Sequence, residues 1–143
     1  MPQTPSATAT ASATPTDVDR IVRRYVAVWS EPDAAARRRA VARLWSQDGV
    51  EFVEGVQFRG HEGLVDRLAE AYGLFVASGD YRVTDDDRVS VHGDVVVFTI
   101  QLRYAKGPQA GEVAWAARVF LLLDDDGRIL QDYQLTVQPL PQA

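Results

Sequence analysis

The chain reads as a single α+β domain, with three helices in its N-terminal half packed on a curved, mainly antiparallel sheet. Three observations carry this expectation. Apolar residues recur at helical spacing up to about residue 45 and again between residues 61 and 76. Four β-rich runs follow with no helical segment among them, and two tight-turn signals join them in pairs. The length of 143 residues, with 46% apolar and 24% charged residues, suits one globular domain with a real core.

Residues 1–16 are almost wholly Thr, Ala, Ser and Pro, and are expected to be a disordered tail, because they cannot bury enough to offset the entropy of ordering. They have neither the basic nor the apolar region of a secretory signal, so a cytoplasmic protein is expected. The domain is expected to span residues 17–138, with a short tail at 139–143. Val18, Ile21, Val22, Tyr25, Val26 and Trp29 share one face of a first helix, opposite Arg20, Arg23 and Arg24. Ser30-Glu31-Pro32-Asp33 ends it, since proline disfavours helix in the residue before it. A second helix is expected from about Asp33 to Trp45, with Arg37, Arg38 and Arg39 solvated. Asp48-Gly49 is a turn signal, and Val50–Phe58 is a strand interrupted at Gly55, where a bulge or bend is expected. A third helix puts Leu64, Val65, Leu68, Tyr72, Phe75 and Val76 on one broad face and stops at Ser78-Gly79-Asp80.

The strands Tyr81–His92 and Val95–Ala105 flank His92-Gly93-Asp94. Gly111–Leu123 and Arg128–Val137 flank Asp124-Asp125-Asp126-Gly127. Without a crossover helix these four form an antiparallel meander, with the helices on one of its faces.

The formal charge of −5 argues against nucleic acid and anionic membrane surfaces as partners, and no apolar run approaches a membrane span. With no cysteine and two histidines, neither a thiolate nucleophile nor a zinc site is expected. Asp85–Asp87 and Asp124–Asp126 lack calcium-loop spacing and read as solvated charge runs, so no metal is expected.

The order of elements resembles the cone-shaped NTF2-like fold, in which a curved sheet wraps a long helix and leaves a pocket at its open end. The stretches Leu44–Phe52, Phe58–Leu64 and Asp126–Ile129 with Asp132-Tyr133 resemble that family's passages between elements, and the match spans about residues 17–138. The chain is most similar to the SnoaL-like proteins, many of them polyketide cyclases, isomerases and accessory proteins of natural-product pathways. That resemblance implies a cofactor-independent pocket for a hydrophobic, oxygenated small molecule, lined by Trp29, Phe52, Tyr72, Phe120 and Gln134, in a homodimer.

Within this frame, alternation puts Arg118 and Phe120 on one face of their strand, and Trp115, Ala117 and Val119 on the other. If the last hairpin pairs symmetrically about its turn, Arg118 lies opposite or diagonal to Asp132. Such a pair is either a base with its orienting cation or a cross-strand ion pair. Resemblance to limonene-type epoxide hydrolases points Asp132 into the pocket as acid or base; Ala116 and Arg118 stand where that family has Arg-x-Asp. Resemblance to ketosteroid isomerases implies an oxyanion-donor role for Tyr25, which otherwise reads as a core aromatic. The isomerase base falls near Val53, which makes the adjacent Glu54 a second candidate carboxylate, while Glu51 is expected to face solvent. His61 reads as a turn or cap residue and His92 as exposed. Trp115, Val119 and Tyr133 read as an apolar outer face for dimerisation. Three functions remain open: an acid–base cyclase, isomerase or dehydratase using Asp132, Arg118, Tyr25 or Glu54; a carrier for a hydrophobic intermediate; or a dimerisation module.

Overall fold

The computed structural model describes residues 15–141, so most of the Thr/Ala/Ser/Pro stretch and the last two residues lie outside the described part. Helix α1 (Pro15–Val28) starts two residues before the expected Asp17 and buries Val18, Val22, Tyr25 and Val28, with Trp29 just beyond its end. Helix α2 (Ala34–Leu44) is capped by Asp33, whose carboxylate accepts from the Ala36 N–H at 2.8 Å, a cap worth about 1 kcal/mol. Arg37 departs from the expected solvated face. It is buried, with one terminal nitrogen donating to the Glu31 carbonyl and its guanidinium over the Tyr72 ring.

Strand β1 (Trp45–Val53) begins at Trp45, where a helix was expected, and the Asp48-Gly49 pair forms no turn between elements. It lies in an irregular stretch of β1 between Trp45 and Val50. The expected bend at Gly55 is a two-residue hairpin. Glu54 (φ 46°) and Gly55 (φ 84°) both take the left-handed conformation that such turns require, and join β1 to β2 (Val56–Arg59). Helix α3 (Gly60–Ala71) buries Leu64, Val65, Leu68 and Ala71, and runs into a π-helical turn, Tyr72–Val76.

The remaining strands are β3 (Tyr81–Asp85), β4 (Ser90–His92), β5 (Val95–Tyr104), β6 (Val113–Leu123) and β7 (Ile129–Gln138). The expected single strand Tyr81–His92 is thus two, β3 and β4, each antiparallel to β5. The sheet order is β2-β1-β7-β6-β5-β3, with β4 beside β5. All pairings are antiparallel except β1 with β7, so the sheet is mixed, curved and open, and it wraps α1 and α3 as an NTF2-like cone. Its concave face supplies Phe98, Ile100, Ala117, Val119, Leu121 and Ile129 to one core with Tyr25, Leu64 and Leu68 of the helices. Each large apolar side chain buried there contributes about 1.5–3 kcal/mol.

The register of the last hairpin decides which side chains reach that concave face. Leu123 pairs with Ile129, but Leu122 pairs with Gln131, so β7 carries one extra residue near its start. A one-residue slip exchanges the faces of everything beyond it. Asp132 therefore pairs with Leu121, and Arg118 pairs with Leu135. The expected Arg118–Asp132 neighbours are on opposite faces. Arg118 and Phe120 are on the convex side, where Arg118 donates to the Thr99 hydroxyl at 3.1 Å. Trp115 and Val119, expected outside, face the interior.

Candidate active site

At the heart of the cone two acidic side chains meet. Glu51 on β1 and Asp132 on β7 are register partners across the parallel pair, and both have 0% exposure. Alternation puts Glu51 on the same face as Val53, and so inward, contrary to the expectation that it faces solvent. Phe52, expected in the pocket, lies on the other side, stacked on Tyr133 with ring centroids 4.6 Å apart.

Burying two carboxyls is costly unless each is hydrogen-bonded and their joint charge is reduced. Arg67 of α3 meets part of that need, its Nε donating to Glu51 Oε1 at 2.8 Å. The guanidinium is held over the faces of Trp29 and Phe58, 5.1 and 5.3 Å from the ring centroids. Asp132 receives the Tyr25 hydroxyl at 2.8 Å on Oδ2 and the Trp45 indole N–H at 3.1 Å on Oδ1. Gln134, two residues along β7 and on the same face, donates to the Tyr25 oxygen at 2.7 Å. Glu51 Oε2 stands 3.3 Å from that hydroxyl and 3.4 Å from the Gln134 amide nitrogen. Tyr25 is itself fixed by Trp29 and Phe98, edge-on at 6.0 and 5.5 Å, and by Trp45 at 5.7 Å. His61 at the start of α3 bonds the Trp45 carbonyl at 3.0 Å.

The electrostatics follow from this packing. Burial, then the neighbouring Glu51 charge, holds the Asp132 carboxyl well above the usual carboxylate range; the hydrogen bonds from Tyr25 and Trp45 pull the other way. Burial, and then the charges of Asp132 and Glu51, push the Tyr25 phenol up as well, so it stays a neutral donor. Asp132 is held toward its protonated form beside Glu51, with the Arg67 guanidinium against the pair, an arrangement suited to acid–base chemistry.

An apolar cavity of about 220 Å³ adjoins this cluster. Trp29, Arg67 and Gln134 border it, together with Val53, Ile100 and Trp115 of the sheet and Phe75 of the π-helical turn. Tyr25, Glu51 and Asp132 are one layer behind that wall. Tyr72, expected in the lining, instead faces Arg37. Glu54 is fully exposed in the β1–β2 turn, where it accepts the Thr136 backbone N–H at 2.9 Å. That bond lowers its pKa, the opposite of what a buried base needs. Of the four residues expected to act, the fold brings Tyr25 and Asp132 together and sends Arg118 and Glu54 elsewhere. Arg67 and Glu51 take the vacated positions. Arg67 was legible in principle, since it follows Leu64 by three residues and precedes Ala71 by four, which places it on the inward face of α3.

Among the described residues no group of three or more His, Cys, Asp or Glu side chains is placed to hold a metal ion, and no helix is long and apolar enough to cross a membrane.

Comparison with known proteins adds the family context. The SnoaL-like domain profile matches residues 22–131. A candidate isomerase of the SnoaL-like family from Agrobacterium tumefaciens superposes with a TM-score of 0.73 at 22% identity, over 85% of this chain and 97% of that one. A candidate SnoaL-like polyketide cyclase from Jannaschia sp. CCS1 gives 0.67 at 19% identity, over 88% and 90%. A candidate polyketide cyclase from Sinorhizobium meliloti gives 0.60 at 19% identity, over 82% and 97%. Among curated proteins no match is found.

Proposed function

This chain belongs to the SnoaL-like domain family, and from that premise we propose that it catalyses proton transfer on a compact, mainly apolar carbonyl compound, in an isomerase- or cyclase-type reaction of natural-product, polyketide-type biosynthesis. The observation that carries the reading is the fully buried Glu51–Asp132 pair, bonded to Tyr25 and backed against an apolar cavity.

In this reading Asp132 carries a proton and the carboxylate beside it takes one, so the pair both accepts and donates. Its ionised carboxylate takes a proton from the carbon next to a carbonyl: the C–H bond breaks, an O–H bond forms on the acid, and the electron pair moves onto the carbonyl oxygen as an enolate. Return of a proton to a different carbon completes an isomerisation. Attack of the enolate carbon on a second carbonyl, with the proton returned to the new alkoxide, closes a ring. Gln134 borders the cavity and bonds Tyr25, so turning its amide aside opens the Tyr25 hydroxyl and the acids behind it to the substrate. Two copies pair through the convex sheet face, where Val56, Tyr133, Leu135 and Val137 are exposed apolar side chains.

The test is deuterium uptake from D2O into the α-carbons of a panel of cyclic ketones and 1,3-diketones, followed by NMR. Asp132→Asn and Glu51→Gln are each expected to slow exchange by ~100-fold or more while ligand affinity is retained. Glu54→Gln is expected to leave it unchanged. Full exchange in both of the first two variants would refute the assignment. One observation favours a second reading, a carrier without chemistry: neither acid borders the cavity. Trp29 and Trp115 border it, so a carrier would show saturable tryptophan quenching by such compounds and no exchange.

A further inference from the structure

We propose that Arg67 and Trp29 form the recognition point for a negatively charged ligand oxygen, so that the cavity selects enolisable carbonyl compounds and holds the enolate oxygen between the terminal guanidinium nitrogens and the indole N–H. The inference deepens the proton-transfer reading and rests on it.

Two side chains that border the same cavity carry the argument. The Trp29 side chain is buried, and its indole N–H finds no acceptor among the described residues. Leaving such a donor unpaired destabilises the fold, a cost that a ligand oxygen would remove. The other buried orphan atoms, Arg37 Nε and Ser46 Oγ, belong to residues that do not border the cavity. Arg67 uses its Nε on Glu51, and no described residue accepts from its two terminal nitrogens. Its side chain is 17% exposed, and its guanidinium carbon stands 5.1 Å from the Trp29 ring centroid, so the two side chains border the cavity as neighbours. A guanidinium fork held this way favours an oxygen bearing charge over a neutral one.

Charge conservation supports the same assignment. Before reaction Arg67 is matched by Glu51, Asp132 holds the proton, and the ligand is neutral. After the α-proton has moved to the acid pair, Glu51 no longer needs the cation, and Arg67 is matched by the enolate. The guanidinium exchanges one anion for another, and the buried site stays neutral throughout. The converse follows: a preformed enolate entering the cavity must bring a proton to the pair with it. The titratable and charged groups facing this point are Tyr25 from α1, Glu51 from β1, Arg67 from α3 and Asp132 from β7, with His61 one step away on the Trp45 carbonyl.

The experiment uses tryptophan quenching by two probes of one shape, the enolate of cyclohexane-1,3-dione and its neutral methyl enol ether, 3-methoxycyclohex-2-enone. The wild-type protein is expected to bind the enolate at least about tenfold more tightly, one charge-assisted hydrogen bond's worth. Over the range where the probe stays ionised, that preference is expected to fall by up to about tenfold per pH unit as pH rises, the mark of one proton taken up on binding. Arg67→Gln should abolish the preference and leave the ether's affinity little changed. Because that variant strands Glu51, the Arg67→Gln/Glu51→Gln double variant is measured beside it. Trp29→Phe, which keeps the ring and removes the N–H, should weaken enolate binding by about fivefold. Equal affinities for the two probes, or a preference that survives the loss of Arg67, would overturn the inference. Asp132-dependent exchange with an anion preference indifferent to Arg67 overturns this inference alone. An Arg67-dependent preference without any exchange supports the anion site and overturns the proton-transfer reading.

Discussion

Glu51 and Asp132 stand side by side on the parallel β1–β7 strand pair, both closed to solvent, with one guanidinium among the described residues, that of Arg67, paired to them. Burial and the neighbouring Glu51 charge raise the Asp132 carboxyl, and this sets how the domain responds to pH.

The folded Asp132 carboxyl lies well above its unfolded value. Its contribution to stability is therefore fully present below the ordinary carboxylate range and is lost as pH rises through the folded value. Melting temperatures measured from pH 4 to 8 should fall with rising pH in the wild type. They should fall less steeply in Asp132→Asn, which keeps the shape and acceptor of the side chain without the proton. Parallel profiles would show that the aspartate is ionised throughout.

Glu51 is the nearest charge raising Asp132, so Glu51→Gln should bring the Asp132 titration down toward the ordinary range. Carboxyl carbon NMR of the labelled protein reads this directly. Burial alone still acts in the variant, so the value should remain above that of a solvated aspartate.

Arg118 and Val119 are sequence neighbours on opposite faces of β6. Arg118→Ala should change stability by no more than about 0.5 kcal/mol, as surface substitutions do, and should leave deuterium exchange intact. Val119→Ala removes two methyl groups from a fully buried site and should cost roughly 2 kcal/mol. Urea denaturation of the two variants checks the register of the last hairpin.

Gly49 packs against the residue that holds Asp132. A Cβ there would lie 2.9 Å from Trp45 Cδ1 and 3.1 Å from the Ser46 carbonyl oxygen. Gly49→Ala should therefore cost about 1–3 kcal/mol and displace the indole from Asp132, visible as a shifted Trp45 fluorescence.

Pairing through the convex face predicts that Tyr133→Glu with Val137→Lys converts a dimer to a monomer in analytical ultracentrifugation. Both side chains are exposed in the single chain, at 37% and 63%.

The order of elements was readable because each rests on local periodicity and on turn residues such as Asp33, Gly79, Gly93 and Gly127. The site was half readable. Tyr25 lies on the apolar face that helical periodicity marks, and Asp132 points inward as the family resemblance implies. Arg118 was misplaced because the extra residue near Leu130 and Gln131 carries no glycine or proline to announce it, and one residue of slip exchanges the faces of a strand. Glu51 was assigned to solvent because an acid on a strand is ordinarily exposed. What makes its burial tolerable is Arg67, sixteen residues away and on a different element, and no local pattern contains that pairing.

The parallel β1–β7 pair also fixes the order in which the domain can be assembled. Its two strands are about eighty residues apart, so during synthesis Glu51, Arg67 and Tyr25 emerge long before Asp132. Docking of the last strand supplies the Tyr25 acceptor, joins the β1–β2 hairpin to the rest of the sheet, and brings a second acid against the first. That contact raises the proton affinity of Asp132. The pairing that completes the sheet therefore also changes how tightly the domain holds a proton.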